Sequence, residues 1–176
     1  YGEDIKKISI GDILSNQLVK KVNKLLNESC DIIIKNPAKS LACQLENYIW
    51  KNLIYNRIEK YRNFFEKISE SESSKTISER GKETRYILTK SIIYYKNSAV
   101  KVEAVKHKDK KHFKVILSKF YSYIGDLYRY MAYIGNSNKY DVKLLSMAKI
   151  FYNLSYKEFS SLSSQFFSLG LIAFME

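Results

Sequence analysis

The chain has 176 residues, with 30 Lys and Arg against 18 Asp and Glu, for a net charge of +12. That length suits one compact domain with a sizeable core, and 45% hydrophobic beside 27% charged residues excludes wholesale disorder. Six Gly and one Pro are too few for the turns of an all-β chain, and no run approaches the ~18 apolar residues of a membrane span.

Apolar residues instead recur at steps of three and four. Ile13, Leu14, Leu18, Val22, Leu25, Leu26 and Ile33 form one helical stripe, which Pro37 ends. Leu41, Leu45, Tyr48, Ile49, Ile54, Ile58, Tyr61, Phe65 and Ile68 form a second, with Ser40 as its expected N-cap. The polar stretch Ser69 to Lys75 reads as a linker. Thr76-Ile77-Ser78-Glu79 has the form of a capping box and opens a helix carrying Leu88, Ile92, Tyr95, Ala99 and Val102. The basic loop Lys106-His107-Lys108-Asp109-Lys110-Lys111-His112 comes next. Phe113, Ile116, Leu117, Phe120, Ile124, Leu127, Met131 and Ile134 make the fourth stripe, and Gly135 to Asn138 a turn. Tyr140, Leu144, Met147, Ala148, Phe151 and Leu154 make the fifth. Ser160 to Ser164 mark a loop, and Phe166 to Met175 read as a buried helix or one whose covering partner lies outside the chain. The expected fold is all-α: one domain of antiparallel helices with short loops.

The N-terminus, Tyr1-Gly2-Glu3-Asp4, is acidic and has no apolar stretch, so no secretory leader is expected. Cys30 and Cys43 lack CxxC spacing and a nearby histidine. They are expected to be buried thiols in a reducing, cytoplasmic setting. The positive surplus favours anionic partners. AT-rich codon usage also accounts for an abundance of Lys, Asn, Ile and Tyr.

Catalysis finds no support. His107 and His112 are five residues apart, on different helix faces, within a lysine-rich loop. There is no Gly-rich phosphate loop, Cys–His pair or HExxH, and no strand precedes Gly135-Asn136-Ser137 to make a nucleophile elbow. No cofactor and no metal are expected.

Two stretches depart from simple amphipathic patterning. At about 100° per residue, Lys51, Tyr55, Ile58 and Arg62 share a helix face, although the apolar stripe also claims Ile58. In Gly125-Asp126-Leu127-Tyr128-Arg129-Tyr130-Met131, Asp126 stands three residues before Arg129 and can orient its guanidinium. One reading is cations snorkelling over aromatic surface. The other is a phosphate pocket of Lys51, Arg129 and Tyr130, because a phosphate dianion needs at least two fixed cationic donors.

These two stretches resemble the 14-3-3 family. Trp50-Lys51-Asn52-Leu53-Ile54, Arg57 and Tyr61-Arg62 parallel the family's Tyr-Lys-Asn-Val-Ile-Gly-Ala-Arg-Arg-x-Ser-Trp-Arg, and Gly125 to Ala132 parallels its Gly-Asp-Tyr-Tyr-Arg-Tyr-Leu-Ala. Leu154 to Phe159 and Leu169-Gly170-Leu171 are fainter echoes. The resemblance covers about residues 13–176 and implies an all-helical adaptor, usually a homodimer, that holds phosphoserine or phosphothreonine segments of phosphorylated proteins. It assigns Lys51, Arg129 and Tyr130 to the phosphate, Arg62, Asp126 and Arg57 to support, and Leu171 and Phe174 to the peptide groove. Ile58 replaces a phosphate-binding Arg, Tyr133 its Glu partner, and Phe174 the Asn that fixes the ligand backbone. The chain also stops near the start of the family's seventh helix, so the last helices of that fold are missing. The expected pocket is therefore reduced, and Ile58→Arg is expected to strengthen it. The competing expectation is a helical scaffold, or a binder of anionic surfaces such as RNA, without phosphopeptide recognition.

Overall fold

The computed structural model describes residues 16–66, 74–134 and 141–160. Every regular element among them is helical. In chain order these are α1 (Asn16–Lys35), α2 (Pro37–Ala42), α3 (Leu45–Ile49), a π turn (Trp50–Tyr55), α4 (Asn56–Glu66), α5 (Ser74–Val105), a 3-10 turn (Lys106–Lys108), α6 (Lys110–Tyr133) and α7 (Val142–Glu158).

The breaks have local causes. Pro37 disfavours the helical conformation at Asn36, which lies at φ −137°, ψ 66°, and Pro37 itself opens α2 where its missing N–H is harmless. Gln44 takes a left-handed conformation, φ 52°, and separates α2 from α3. Ser40 is therefore not the expected cap; it lies inside α2 and is buried. The Asp109 carboxylate accepts from the His112 backbone N–H at the start of α6, and that of Asp141 accepts from Lys143 and Leu144 at the start of α7. Helix α5 begins at Ser74, two residues ahead of the expected capping box.

The stripes read from the sequence become the core. Leu88, Ile92, Tyr95, Ala99 and Val102 of α5 meet Phe113, Ile116, Leu117, Phe120, Ile124 and Leu127 of α6, all buried. Full burial of each large apolar side chain contributes roughly 1.5–3 kcal/mol. A smaller cluster joins Ala132 of α6 to Leu145, Ala148 and Tyr152 of α7. Ser118 and Ser155 pin these two helices together: Ser118 Oγ donates to the Ser155 carbonyl at 2.9 Å, and Ser155 Oγ donates to the Ser118 carbonyl at 2.5 Å.

Pairings between the α3–π segment and α6 place the site. Lys119 bonds the buried Glu46, and the Tyr123 hydroxyl donates to Asn47 Oδ1 at 2.5 Å. The Trp50 ring stacks on Tyr123 at 4.6 Å, and the Tyr55 ring lies 6.3 Å from that of Tyr130. Positions rise together on both partners, so the two segments run parallel and face each other. α5 and α6 run antiparallel, as do α6 and α7.

Both cysteines are free thiols. Cys30 is buried as expected, and burial pushes its thiol pKa up. Cys43 is exposed instead, because it caps α2 at the break before α3. Among the described residues no helix is long and apolar enough to cross a membrane.

Candidate functional site

The site grows from the Gly125-to-Tyr130 stretch of α6. Leu127 faces the core and is fully buried, which turns Asp126 and Arg129 towards α7 and the surface. Arg129 Nη2 donates to Asp126 Oδ1 at 3.2 Å. The Tyr152 hydroxyl of α7 donates to the same oxygen at 2.7 Å and accepts from Arg129 Nε at 3.4 Å. Gly125 makes this possible, since a Cβ there would stand 2.6 Å from the Tyr152 ring. Burial raises the Asp126 carboxyl pKa, while Arg129 and Tyr152 pull it back. Burial likewise opposes the Arg129 charge, but Tyr152 and Asp126 outweigh it and the guanidinium pKa is raised.

The Arg129 guanidinium also lies 4.7 Å over the centre of the Tyr130 ring. The Tyr130 phenol is pushed up to about 12, first by burial and then by Asp126. Tyr55 stands opposite Tyr130 on the facing helix. Its phenol is hydrogen-bonded to Glu59, which raises its pKa. Glu59 Oε1 also accepts from Arg62 Nη2 at 2.6 Å. Arg129, Tyr130, Tyr55, Glu59 and Arg62 thus succeed one another across a cleft between α6 and the π–α4 segment.

Lys51 is exposed on the π turn, one turn ahead of Tyr55. The expected face is broken by that π turn, in which the Asn56 N–H reaches back five residues to the Lys51 carbonyl. The wider turn rotates α4 out of α-helical phase with Lys51. Ile58 is 1% exposed and packs in the main core. The expectation that Ile58 borders the pocket, and that Arg there would improve it, is therefore corrected. Arg57 lies on α4, with its side chain outside the described part of the structure. Leu171 and Phe174 lie outside the described residues, as do the Gly135 turn and the Phe166 to Met175 run.

Glu59 and Tyr152 join the site without having been expected there from sequence. Glu59 is detectable in principle, since it stands three residues before Arg62 on a helix. Tyr152 and the seat that Gly125 gives it come from packing between two helices. Among the described residues no group of three or more His, Cys, Asp or Glu side chains is placed to hold a metal. Comparison with protein-family models, curated proteins and solved structures gives no match.

The cleft is lined by two restrained ion pairs and two tyrosines. Arg62 pairs with Glu59 and Arg129 with Asp126, so each of these guanidiniums is balanced by a carboxylate. Arg129 is held from both sides, which leaves it little rotamer entropy to lose on binding a ligand.

Proposed function

We propose that this protein is a non-catalytic helical adaptor that binds phosphoserine or phosphothreonine segments of partner proteins through a reduced phosphate pocket. The observation that carries the reading is the fixed Arg129. Asp126 and Tyr152 orient its guanidinium, Tyr130 lies beneath it, and its side chain keeps 21% exposure beside the cleft. A preset, partly desolvated guanidinium is the donor that a phosphate monoester calls for. The Tyr130 hydroxyl supplies a neutral donor, and the exposed Lys51 on the π turn supplies a second charge. The sequence resemblance to 14-3-3 proteins at Lys51, Arg129 and Tyr130 points the same way.

The carboxylates of Glu59 and Asp126 set the expected strength. Each opposes a phosphate dianion, so binding is weak and depends wholly on the added phosphate. Titrating the protein with one peptide in phosphorylated and unphosphorylated form tests this. Binding of the phosphorylated form alone supports the adaptor. Equal affinity for both forms favours a scaffold without phosphate recognition.

A further inference from the structure

One end of the bundle gathers the C-terminus of α1, the corner between α5 and α6, and the C-terminus of α7. Lys101 reaches Asp31 at 3.6 Å, and Lys106 reaches Glu158 at 2.6 Å, which sets these three chain segments side by side. Among the described residues, the carboxylates at this end are all engaged. Asp31 pairs with Lys101, Glu103 and Glu158 share Lys106, and Asp109 binds the backbone N–H and ring of His112. Left over are Lys35, Lys108, Lys110, Lys111 and Lys157. All five are exposed, and among the described residues none has a carboxylate partner.

The geometry points to a nucleic-acid-binding surface at this end, one that grips the phosphodiester backbone of a duplex without reading its sequence. Five lysines from three chain segments provide point charges on flexible stems, which suit backbone phosphates rather than base edges. The corner itself, residues 106–111, carries no Phe, Tyr, Trp or aliphatic side chain. Its one ring, the exposed imidazole of His107, is not enough to stack successive bases of a single strand. The corner offers no apolar wedge for a bilayer either, since the next apolar residue, Phe113, is 2% exposed. Asp109 caps α6 through His112, so the corner that presents Lys108, Lys110 and Lys111 is fixed in place. The overall charge of +12 adds long-range attraction for a polyanion. This surface is separate from the Arg129 cleft and does not depend on that cleft binding phosphate.

The test is a salt titration of the whole protein with a labelled DNA duplex of arbitrary sequence. Five phosphate contacts predict a slope of log K against log salt of about −4.5, or roughly 500-fold weaker binding between 50 and 200 mM salt. The triple variant Lys108→Gln, Lys110→Gln, Lys111→Gln should reduce the slope to about −1.8, or about 12-fold over the same range. Replacing the same three lysines by Arg should keep the steep slope. A steep slope that survives the Gln variant overturns the assignment, and so does binding to phosphatidylserine vesicles without binding to the duplex.

Discussion

Gly125 on α6 lies directly against the ring of Tyr152 on α7: a Cβ at position 125 would come within 2.6 Å of it. Tyr152 is fully buried, so its ring has no free space in which to retreat. Gly125→Ala would gain helix propensity of about 1 kcal/mol, against an overpacking cost of roughly 1–3 kcal/mol. We expect net destabilisation, and with it a displaced Tyr152 that no longer orients Arg129. Thermal unfolding of the variant checks the first effect. Loss of phosphopeptide affinity in the portion still folded checks the second.

Ile58→Arg places a guanidinium in the main core, where Ile58 is 1% exposed. An unpaired buried charge commonly destabilises by about 3–5 kcal/mol. That is a large fraction of the stability of a domain this size. The variant should unfold at much lower denaturant concentration than wild type, without any gain in phosphate affinity.

Glu59 is the more promising position for improving the pocket. Its carboxylate neutralises Arg62 and accepts from Tyr55 at the edge of the cleft. Glu59→Gln keeps the shape and removes the repulsion of a phosphate dianion. For a partly exposed site the gain should be roughly 0.2–1 kcal/mol, up to about fivefold tighter phosphopeptide binding. Binding of the unphosphorylated peptide should not change.

Alkaline pH should unfold the protein through its buried phenols. The Tyr130 phenol pKa is raised from 10.0 to about 12 by burial. A raised folded-state value favours the protonated native form, so this contribution is fully present below pH 10 and disappears as pH rises towards 12. One such group accounts for roughly 2–3 kcal/mol. Tyr94, Tyr95, Tyr123 and Tyr152 are shifted in the same direction, again chiefly by burial. Phenolate absorbance and circular dichroism should therefore change together in one steep step above pH 10. Tyr130→Phe should move that step to higher pH.

Asp141 caps α7 by accepting from the Lys143 and Leu144 backbone N–H groups. Asp141→Ala should cost about 0.5–2 kcal/mol, in line with other lost N-caps. Chemical denaturation of the variant measures this, while Asp141→Asn should retain most of the cap.

The sequence reveals those parts of the fold whose causes are local. The Leu88 to Val102 stripe of α5 and the Phe113 to Leu127 stripe of α6 have helical spacing, and both are buried as that spacing requires. The Asp126–Arg129 pair is equally legible, because three residues along a helix bring the two side chains together. Tyr152 is not, since only the packing of α7 on Gly125 brings it to that pair. The π turn at Trp50–Tyr55 is hidden for a similar reason. It coincides with Trp50 stacking on Tyr123 and Tyr55 facing Tyr130, contacts made with a helix some seventy residues away. The double claim on Ile58, by the core stripe and by the Lys51 face, marks the place where uniform α-helical spacing fails. The core wins, because burying Ile58 gains more than leaving it at the edge of a polar cleft.

The central claim is that Arg129 is a preset phosphate donor, and the most direct measurement is calorimetric titration of wild type and Arg129→Ala with the same phosphoserine peptide. Removing a hydrogen bond to a charged group costs about 1.5–3 kcal/mol, so affinity should fall by at least about tenfold. Unphosphorylated peptide should bind neither protein. If Arg129→Ala remains folded and binds the phosphorylated peptide as tightly as wild type, the cleft does not recognise phosphate through Arg129 and the account fails.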